Sequence, residues 1–205
     1  MGLANNSYSK EIIKLPFFKK RGRICLEEVL DQRQSIRKYS PDPLRIEEIS
    51  QLLWAAYGKN QWKKKTVPSA GALYPLVIYL FAKKVEEIPL GLYEYHPQNH
   101  TLSLISASDL SFSLYKACLK QEWIKEAKAA IFICANYKIT TSYYGKRGFR
   151  YVYMEAGHSG QNIYLEATAL NLGTVAIGAF NDEEVKRVLA VEEEPLYIFP
   201  IGRPK

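Results

Sequence analysis

Apolar residues recur along the chain at two spacings, and each spacing predicts one kind of element. In 46–57 they fall three or four positions apart, as on one face of a helix. In 77–81 and 129–135 they form short runs rich in branched and aromatic residues, as in buried strands. The same reasoning predicts helices over 26–31 and 181–189, a hairpin of 91–95 with 101–104, and a final strand over 196–200.

The segment 151–172 differs because apolar or small residues lie on nearly every side of the predicted helix. Such a helix must be central, either in the core of one subunit or between two subunits. Within it we expect a hydrogen-bonded core position for His158, and for Glu155 a contact with Arg150 or with a helix N-terminus. Because helices and strands do not alternate regularly, the order favours an α+β fold, a mixed or antiparallel sheet wrapped by helices.

Composition limits the domain count and the ligand class. A chain of 205 residues, 47% of them hydrophobic, is long enough for one domain with a sizeable core. We assign 24–205 to that domain and 1–23 to an N-terminal arm, because an apolar stretch at 15–18 stands there among polar and basic residues. Such an arm often wraps a partner subunit. The 28 Lys and Arg residues against 21 Asp and Glu give a charge of +7, which favours anionic ligands.

Other functional classes lack the motifs that they need. The basic runs 19–23 and 63–65 are typical of solvated surface, and no zinc-finger spacing, P-loop or RNA-recognition signature accompanies them. Nucleic acid is therefore not an expected partner. Three widely spaced cysteines predict neither a disulfide nor a metal site and indicate a reducing, cytoplasmic setting. We expect no signal peptide and no membrane association.

Two short segments carry candidate binding chemistry. If 33–37 is extended, Arg33, Ser35 and Arg37 point to one side and can converge on a single dianion, since residues two apart share a face. In 68–75 the small residues around Gly71 let backbone N–H groups approach a flat ring closely. Together the two segments resemble a flavin site.

Taken in order, several motifs resemble the FMN-dependent nitroreductase superfamily, and within it the SagB-type branch of thiazole/oxazole dehydrogenase-like proteins. Any one motif alone is weak, but the ordered set is specific and covers about 26–204. Its members are 33–39, 52–58, 68–75, 144–151, 155–162, 177–180 and 200–204. The resemblance implies a nitroreductase-like fold, an intertwined homodimer with FMN at the subunit boundary, and an interface on the long apolar helix.

The resemblance also implies roles for particular residues. Arg33, Ser35 and Arg37 would hold the FMN phosphate, Gln34 would lie near the ring or ribityl chain, and Arg203 is a further phosphate candidate. The turn would lie along the isoalloxazine through Pro68, Ser69, Ala70, Gly71, Ala72 and Tyr74. The segment Ala176, Ile177, Gly178 and Ala179 would cover the ring and offer an N–H to N5. Candidates for proton transfer to substrate are Tyr144, Lys146, Arg150 and Tyr151.

The implied activity is hydride transfer through flavin N5 between a reductant, NADH or NADPH, and a small acceptor. An alternative within the family is azoline dehydrogenation on a modified peptide. The adjacent Lys-Tyr pair associated with that activity is absent after residue 140, and Tyr57 stands where related sequences often have Gln. An alternative of another class is a non-catalytic basic module that binds nucleotides or RNA.

Overall fold

A seven-stranded sheet forms the centre of the molecule, described over residues 12–205 of a computed structural model. Its strands are β1 (Ile12–Lys14), β2 (Leu76–Ala82), β3 (Gly91–His96), β4 (Thr101–Ser106), β5 (Ala129–Ala135), β6 (Gly173–Thr174) and β7 (Glu194–Gly202). The strand order is β1-β4-β3-β2-β5-β7-β6, and each neighbouring pair is antiparallel. The predicted α+β class with a helix-wrapped sheet is confirmed, and the sheet is antiparallel.

Helices cover both faces of this sheet. They are α1 (Leu26–Gln32), α2 (Ile46–Tyr57), α3 (Ser111–Ala117), α4 (Glu122–Glu126), α5 (Tyr137–Tyr144), α6 (Arg147–Ala169) and α7 (Asp182–Leu189). The predictions for α1, α2 and α7 agree with these bounds to within one residue. Helices α3, α4 and α5 are not predicted from the sequence, since five to eight residues are too few for a helical period to stand out. The predicted start of α6, residue 151, lies four residues after its observed start.

The two faces of the sheet bury separate apolar clusters. Alternate residues of β2 and β5, such as Ile78 and Ile131, pack in one cluster with α2 and α6. The intervening residues, such as Phe81 and Phe132, pack in the other with α3 and α7. Both faces of β5 are buried, which explains its unbroken apolar run. Cys134 lies in this strand, where burial raises the pKa of its thiol, so it serves as a small core residue.

The described part of the predicted arm packs on its own chain. Leu15 is buried in the main cluster, and the Ser50 hydroxyl donates to the Pro16 carbonyl at 2.6 Å. Phe18 stacks on Trp54 with ring centroids 4.5 Å apart. Residues 12–19 thus pack on their own chain, 1–11 lie outside the described residues, and the expectation that the arm wraps a partner subunit stays a prediction.

The long helix α6 is buried on one side only. Its inner side packs on α2 and β7, but Tyr153 and Met154 are 56% and 54% exposed and Gly157 is also exposed. His158 lies on this open side and hydrogen-bonds to no described residue, which corrects its expected core position. None of the described helices combines the length and apolar character needed to cross a bilayer.

Candidate functional site

Tyr164 of α6 joins two of the segments singled out from the sequence. The Arg33 guanidinium carbon lies 5.1 Å from the centre of the Tyr164 ring, and Ser35 Oγ lies 2.8 Å from the tyrosine hydroxyl. That hydroxyl also accepts the backbone N–H of Ala176 at 2.8 Å. The basic segment and the predicted covering segment are therefore held together by one tyrosine that was not predicted from the sequence. Nothing in the sequence distinguishes Tyr164 from the other tyrosines of α6, Tyr151 and Tyr153.

The three candidate phosphate arginines have different surroundings. Arg33 and Arg37 form no ion pair within residues 12–205, and Arg37 stacks 5.5 Å from the centre of the Trp123 ring. Arg203 instead binds both carboxylate oxygens of the buried Glu48, at 3.0 and 3.1 Å. Arg33 and Arg37 thus remain available to an anion, whereas the Arg203 guanidinium already has a carboxylate partner.

An open pocket of about 550 Å³ adjoins the basic segment. Arg33 and Gln34 line it from one side, and the C-terminal end of α6 lines it from the other. Next to it, the buried Thr174 hydroxyl has no hydrogen-bond partner among the described residues. The Thr174 carbonyl accepts the N–H of Ile36 at 2.8 Å, which fixes the segment beside β6. Arg33, which forms no ion pair within residues 12–205, therefore lines a space open to a ligand, together with Gln34 and the carboxylate-bearing Asp31.

The 68–75 turn is held in a strained backbone conformation. Gly71, Ala72 and Tyr74 have φ of 60°, 54° and 54°, the left-handed region that costs a non-glycine residue ~1–2 kcal/mol. A Cβ on Gly71 would lie 2.9 Å from the Tyr144 hydroxyl, so a larger residue does not fit there. The N–H groups of Ala70 and Gly71 have no acceptor within the described chain. The turn therefore presents small residues and free backbone donors.

A buried polar cluster lies beneath this turn. Tyr57 donates its hydroxyl hydrogen to Glu155 at 2.7 Å. Burial raises the pKa of Glu155 despite this bond. The Lys65 ammonium lies 4.7 Å from the centre of the Tyr57 ring, and burial lowers its pKa to about 8. The expected contact of Glu155 with Arg150 is absent, which corrects that prediction.

The covering segment is fixed at Ile177 and open beyond it. Ile177 exchanges two backbone hydrogen bonds with Ile198, at 2.9 and 3.0 Å. The Ala179 carbonyl accepts the side-chain amide of Gln121 at 2.8 Å. The N–H groups of Gly178 and Ala179 have no acceptor among residues 12–205. This segment therefore offers two free donors on a fixed backbone.

Two of the four proton-transfer candidates lie at the turn. Tyr144 ends α5, contacts Gly71 and meets the Tyr151 ring edge-on with centroids 5.1 Å apart. Lys146 and Arg150 are exposed and bond to no described residue. The structure therefore groups the tyrosines and leaves the two cations on the surface.

The turn and the basic segment contact opposite sides of α6. Glu155, beneath the turn, and Tyr164, beside the basic segment, are nine residues apart, which is about two and a half helical turns and ~13 Å along the axis. Tyr164 packs edge-on against the buried Phe199 of β7, with ring centroids 5.7 Å apart. Within one chain, the turn and the basic segment are therefore separated by the width of α6 at these two contacts.

Comparison with known proteins gives one consistent result. Residues 30–203 match the sequence pattern described as the nitroreductase family. A Methanocaldococcus jannaschii protein named "Putative nitroreductase" is 48% identical over 181 residues, 88% of this chain and 91% of that protein. A crystal structure from Ralstonia eutropha JMP134 with the same description superposes with a TM-score of 0.84 and 28% identity, covering 97% of this chain and 91% of that one.

A more distant relative carries a different name. Microcin B17-processing protein McbC of Escherichia coli is 25% identical over 158 residues, which are 73% of this chain. The match spans 58% of McbC, so this chain corresponds to just over half of that protein's length.

Proposed function

The chain belongs to the nitroreductase family, a family of flavin oxidoreductases, and from this premise we propose that it uses FMN to transfer hydride between NADH or NADPH and a small acceptor. The observation that carries the proposal is the cluster of Arg33, Ser35, Tyr164 and Ala176. It brings an uncompensated cation, a hydroxyl and the covering segment together beside an open pocket.

The residues fit the chemistry of FMN at both of its ends. A phosphate needs cations and hydroxyl donors, and Ser35 supplies a hydroxyl while Arg33 and Arg37 supply cations that form no ion pair within residues 12–205. A flat ring needs small residues and free backbone donors, which the turn and the covering segment supply. Gln34 would contact the ribityl chain or ring from the pocket wall. Arg203 stays a sequence prediction, since Glu48 engages it.

When bound, FMN supplies an N5 atom that exchanges hydride with a donor or acceptor. The chain's own residues would tune that atom and exclude water. A backbone N–H from Gly178 or Ala179 would donate to N5, and a guanidinium near the pyrimidine edge would stabilise the anionic reduced ring. Tyr144 or Tyr151 would exchange a proton with the substrate at the turn.

A homodimer completes the proposed site. Because the turn and the basic segment of one chain contact opposite sides of α6, a second copy is needed to bring a turn to this basic segment. The open side of α6 supports this arrangement, since it exposes Tyr153 and Met154 beside Gly157. A Cβ on Gly157 would contact nothing within 4 Å in this chain, although a glycine destabilises the middle of a helix. Close approach of a second chain would explain why a glycine stands at this position.

The relationship to McbC favours a second candidate within the same chemistry. Its name, a microcin-processing protein, supports peptide azoline dehydrogenation as the alternative reaction. That reaction needs a protein base beside the substrate, and Tyr144 and Tyr151 are the candidates at the turn. Turnover of an azoline peptide, with none of a quinone or nitroaromatic, would favour this alternative.

The visible absorption spectrum of the purified protein tests the proposal. Flavin bands that bleach anaerobically with NADH or NADPH support it. A colourless protein that also fails to bind added FMN contradicts it. RNA binding that weakens steeply with salt, without flavin, would indicate the basic binding module instead.

A paired substitution tests the phosphate assignment. Each charge-assisted contact contributes roughly 1.5–3 kcal/mol, so Arg33→Ala with Arg37→Ala should weaken FMN binding by about 100-fold or more. Lys38→Ala is the matched control, because it removes an exposed cation from the same segment. FMN titration that gives equal dissociation constants for the double variant and the control would refute the assignment.

A further inference from the structure

The 68–75 turn cannot keep its conformation by local preference alone. Ala72 and Tyr74 are both left-handed without being glycine. Such residues persist only where the surroundings determine the backbone more strongly than the residues themselves. Something outside the turn must therefore hold its C-terminal half.

Two hydroxyl oxygens hold that half. Ser69 Oγ accepts the backbone N–H of Tyr74 at 2.9 Å. Tyr57, at the C-terminal end of α2, accepts the backbone N–H of Leu76 at 3.2 Å. The two bonds fix the chain on either side of Pro75, where the turn becomes β2.

One of these two hydroxyls is oriented by a buried carboxylate. Tyr57 donates to Glu155 at 2.7 Å. A hydroxyl has one hydrogen, so a hydroxyl that donates to the carboxylate keeps its lone pairs for a backbone N–H group. One buried group on the central helix thus determines the contact of Tyr57 with the end of the turn.

Burying the Glu155 carboxylate carries a free-energy cost. Glu155 is 2% exposed and makes no ion pair within residues 12–205. Lys65 is the cation facing it, held over the Tyr57 ring. Burial raises the pKa of Glu155, which shows that the fold disfavours its charge. An apolar side chain would pack here without that penalty, so packing does not account for Glu155.

We propose that Glu155 is a positioning residue that holds the end of the 68–75 turn in its flavin-binding shape by orienting the Tyr57 hydroxyl. The inference rests on the proposed function for the flavin ring as the ligand of the turn. The effect on the backbone of the turn is independent of any ligand. Loss of the carboxylate frees the Tyr57 hydroxyl and lets the chain relax at Leu76.

Hydrogen exchange of the flavin-free protein tests the backbone effect. Glu155→Met removes the acceptor of the Tyr57 hydroxyl and should speed amide exchange at Leu76 by about tenfold or more, leaving Tyr74 and the β5 core unchanged. Glu192→Met, on the exposed loop before β7, is the matched control and should leave the Leu76 amide unchanged. Faster exchange everywhere, β5 included, would show a general loss of stability and overturn the proposal.

Single substitutions keep the test decisive if Glu155→Met fails to fold. Tyr57→Phe should speed exchange at Leu76 and spare Tyr74, whereas Ser69→Ala should speed exchange at Tyr74 and spare Leu76. Equal effects of both variants on both amides, or no effect of either, would contradict the proposed division of contacts.

Ligand binding tests the link to the flavin ring. Because the turn faces the ring, Glu155→Met should weaken riboflavin and FMN by the same factor, about tenfold. Arg33→Ala should weaken FMN alone, since riboflavin lacks the phosphate. Local exchange effects with no FMN binding by the unaltered protein would refute the proposed function and keep the backbone role. Unchanged riboflavin affinity in Glu155→Met would refute the role of Glu155 in flavin binding.

Discussion

Replacing Tyr164 by Phe removes one hydroxyl from the contact between the basic segment and the covering segment. That hydroxyl accepts from Ala176 and bonds to Ser35, both at 2.8 Å, so its loss leaves two polar groups without partners. A buried donor left unpaired costs about 1–3 kcal/mol. Since the site is only half-buried and water can replace part of the loss, we expect the lower half of that range, ~1–2 kcal/mol.

For a chain of this size, that loss lowers the thermal midpoint by ~2–8 °C. The assay is calorimetry of the flavin-free protein, with Tyr143→Phe as the control, because Tyr143 is 74% exposed and makes no hydrogen bond with a described residue. The Ser35→Ala and Tyr164→Phe variants should be non-additive when combined, since they remove the two ends of one bond. Equal midpoints for Tyr164→Phe and Tyr143→Phe, with additive double-variant energies, would refute the reasoning.

Three further predictions follow from other parts of the molecule. Gly157→Leu should lower the dimer fraction in light scattering, whereas an unchanged mass would show that this position faces solvent. Burial lowers the pKa of Lys65 from 10.5 to about 8, so the unfolded chain binds more protons between these values. The unfolding free energy of the unaltered protein, measured in denaturant relative to that of Lys65→Met, should therefore rise between about pH 8 and pH 10.5. A difference between the two proteins that does not change with pH would contradict the burial of the Lys65 charge. Arg203→Ala should cost about 1.5 kcal/mol of stability by removing one of the two arginines that bind the buried Glu48, since Arg45 keeps its own bond to that carboxylate at 2.9 Å, and a large loss of FMN affinity with little loss of stability would instead restore Arg203 as a phosphate ligand.

Much of the fold could be predicted from the sequence because the spacing of apolar residues along a long element reflects which of its residues are buried. The spacing in 46–57 predicted α2 to the residue, and the unbroken run 129–135 predicted β5. Short elements escaped: α4 has five residues, less than two turns, and its apolar positions cannot establish a period. In α6, small residues were counted as apolar on every side, although Gly157 and His158 lie on the open side.

The candidate site was predictable where one motif carries its own chemistry. The alternation of Arg33, Ser35 and Arg37 marked an anion segment, and Gly71 marked a turn with a left-handed backbone. The partners of those motifs were not predictable. Tyr164 is 129 residues from Ser35 in the chain, and Glu155 is 98 residues from Tyr57. Nothing in the sequence near either residue indicates such a contact.

The sequence by itself determined the longer elements, the family and the residues with binding chemistry, because periodicity and local motifs depend on neighbours in the chain. The tertiary structure alone decided which of those residues meet. It paired Arg203 with Glu48, joined Arg33 and Ser35 to Tyr164, and set the turn on the other side of α6. The reason is geometric: the direction of a side chain on a packed helix is fixed by what the whole helix buries, and that packing is a property of the complete fold.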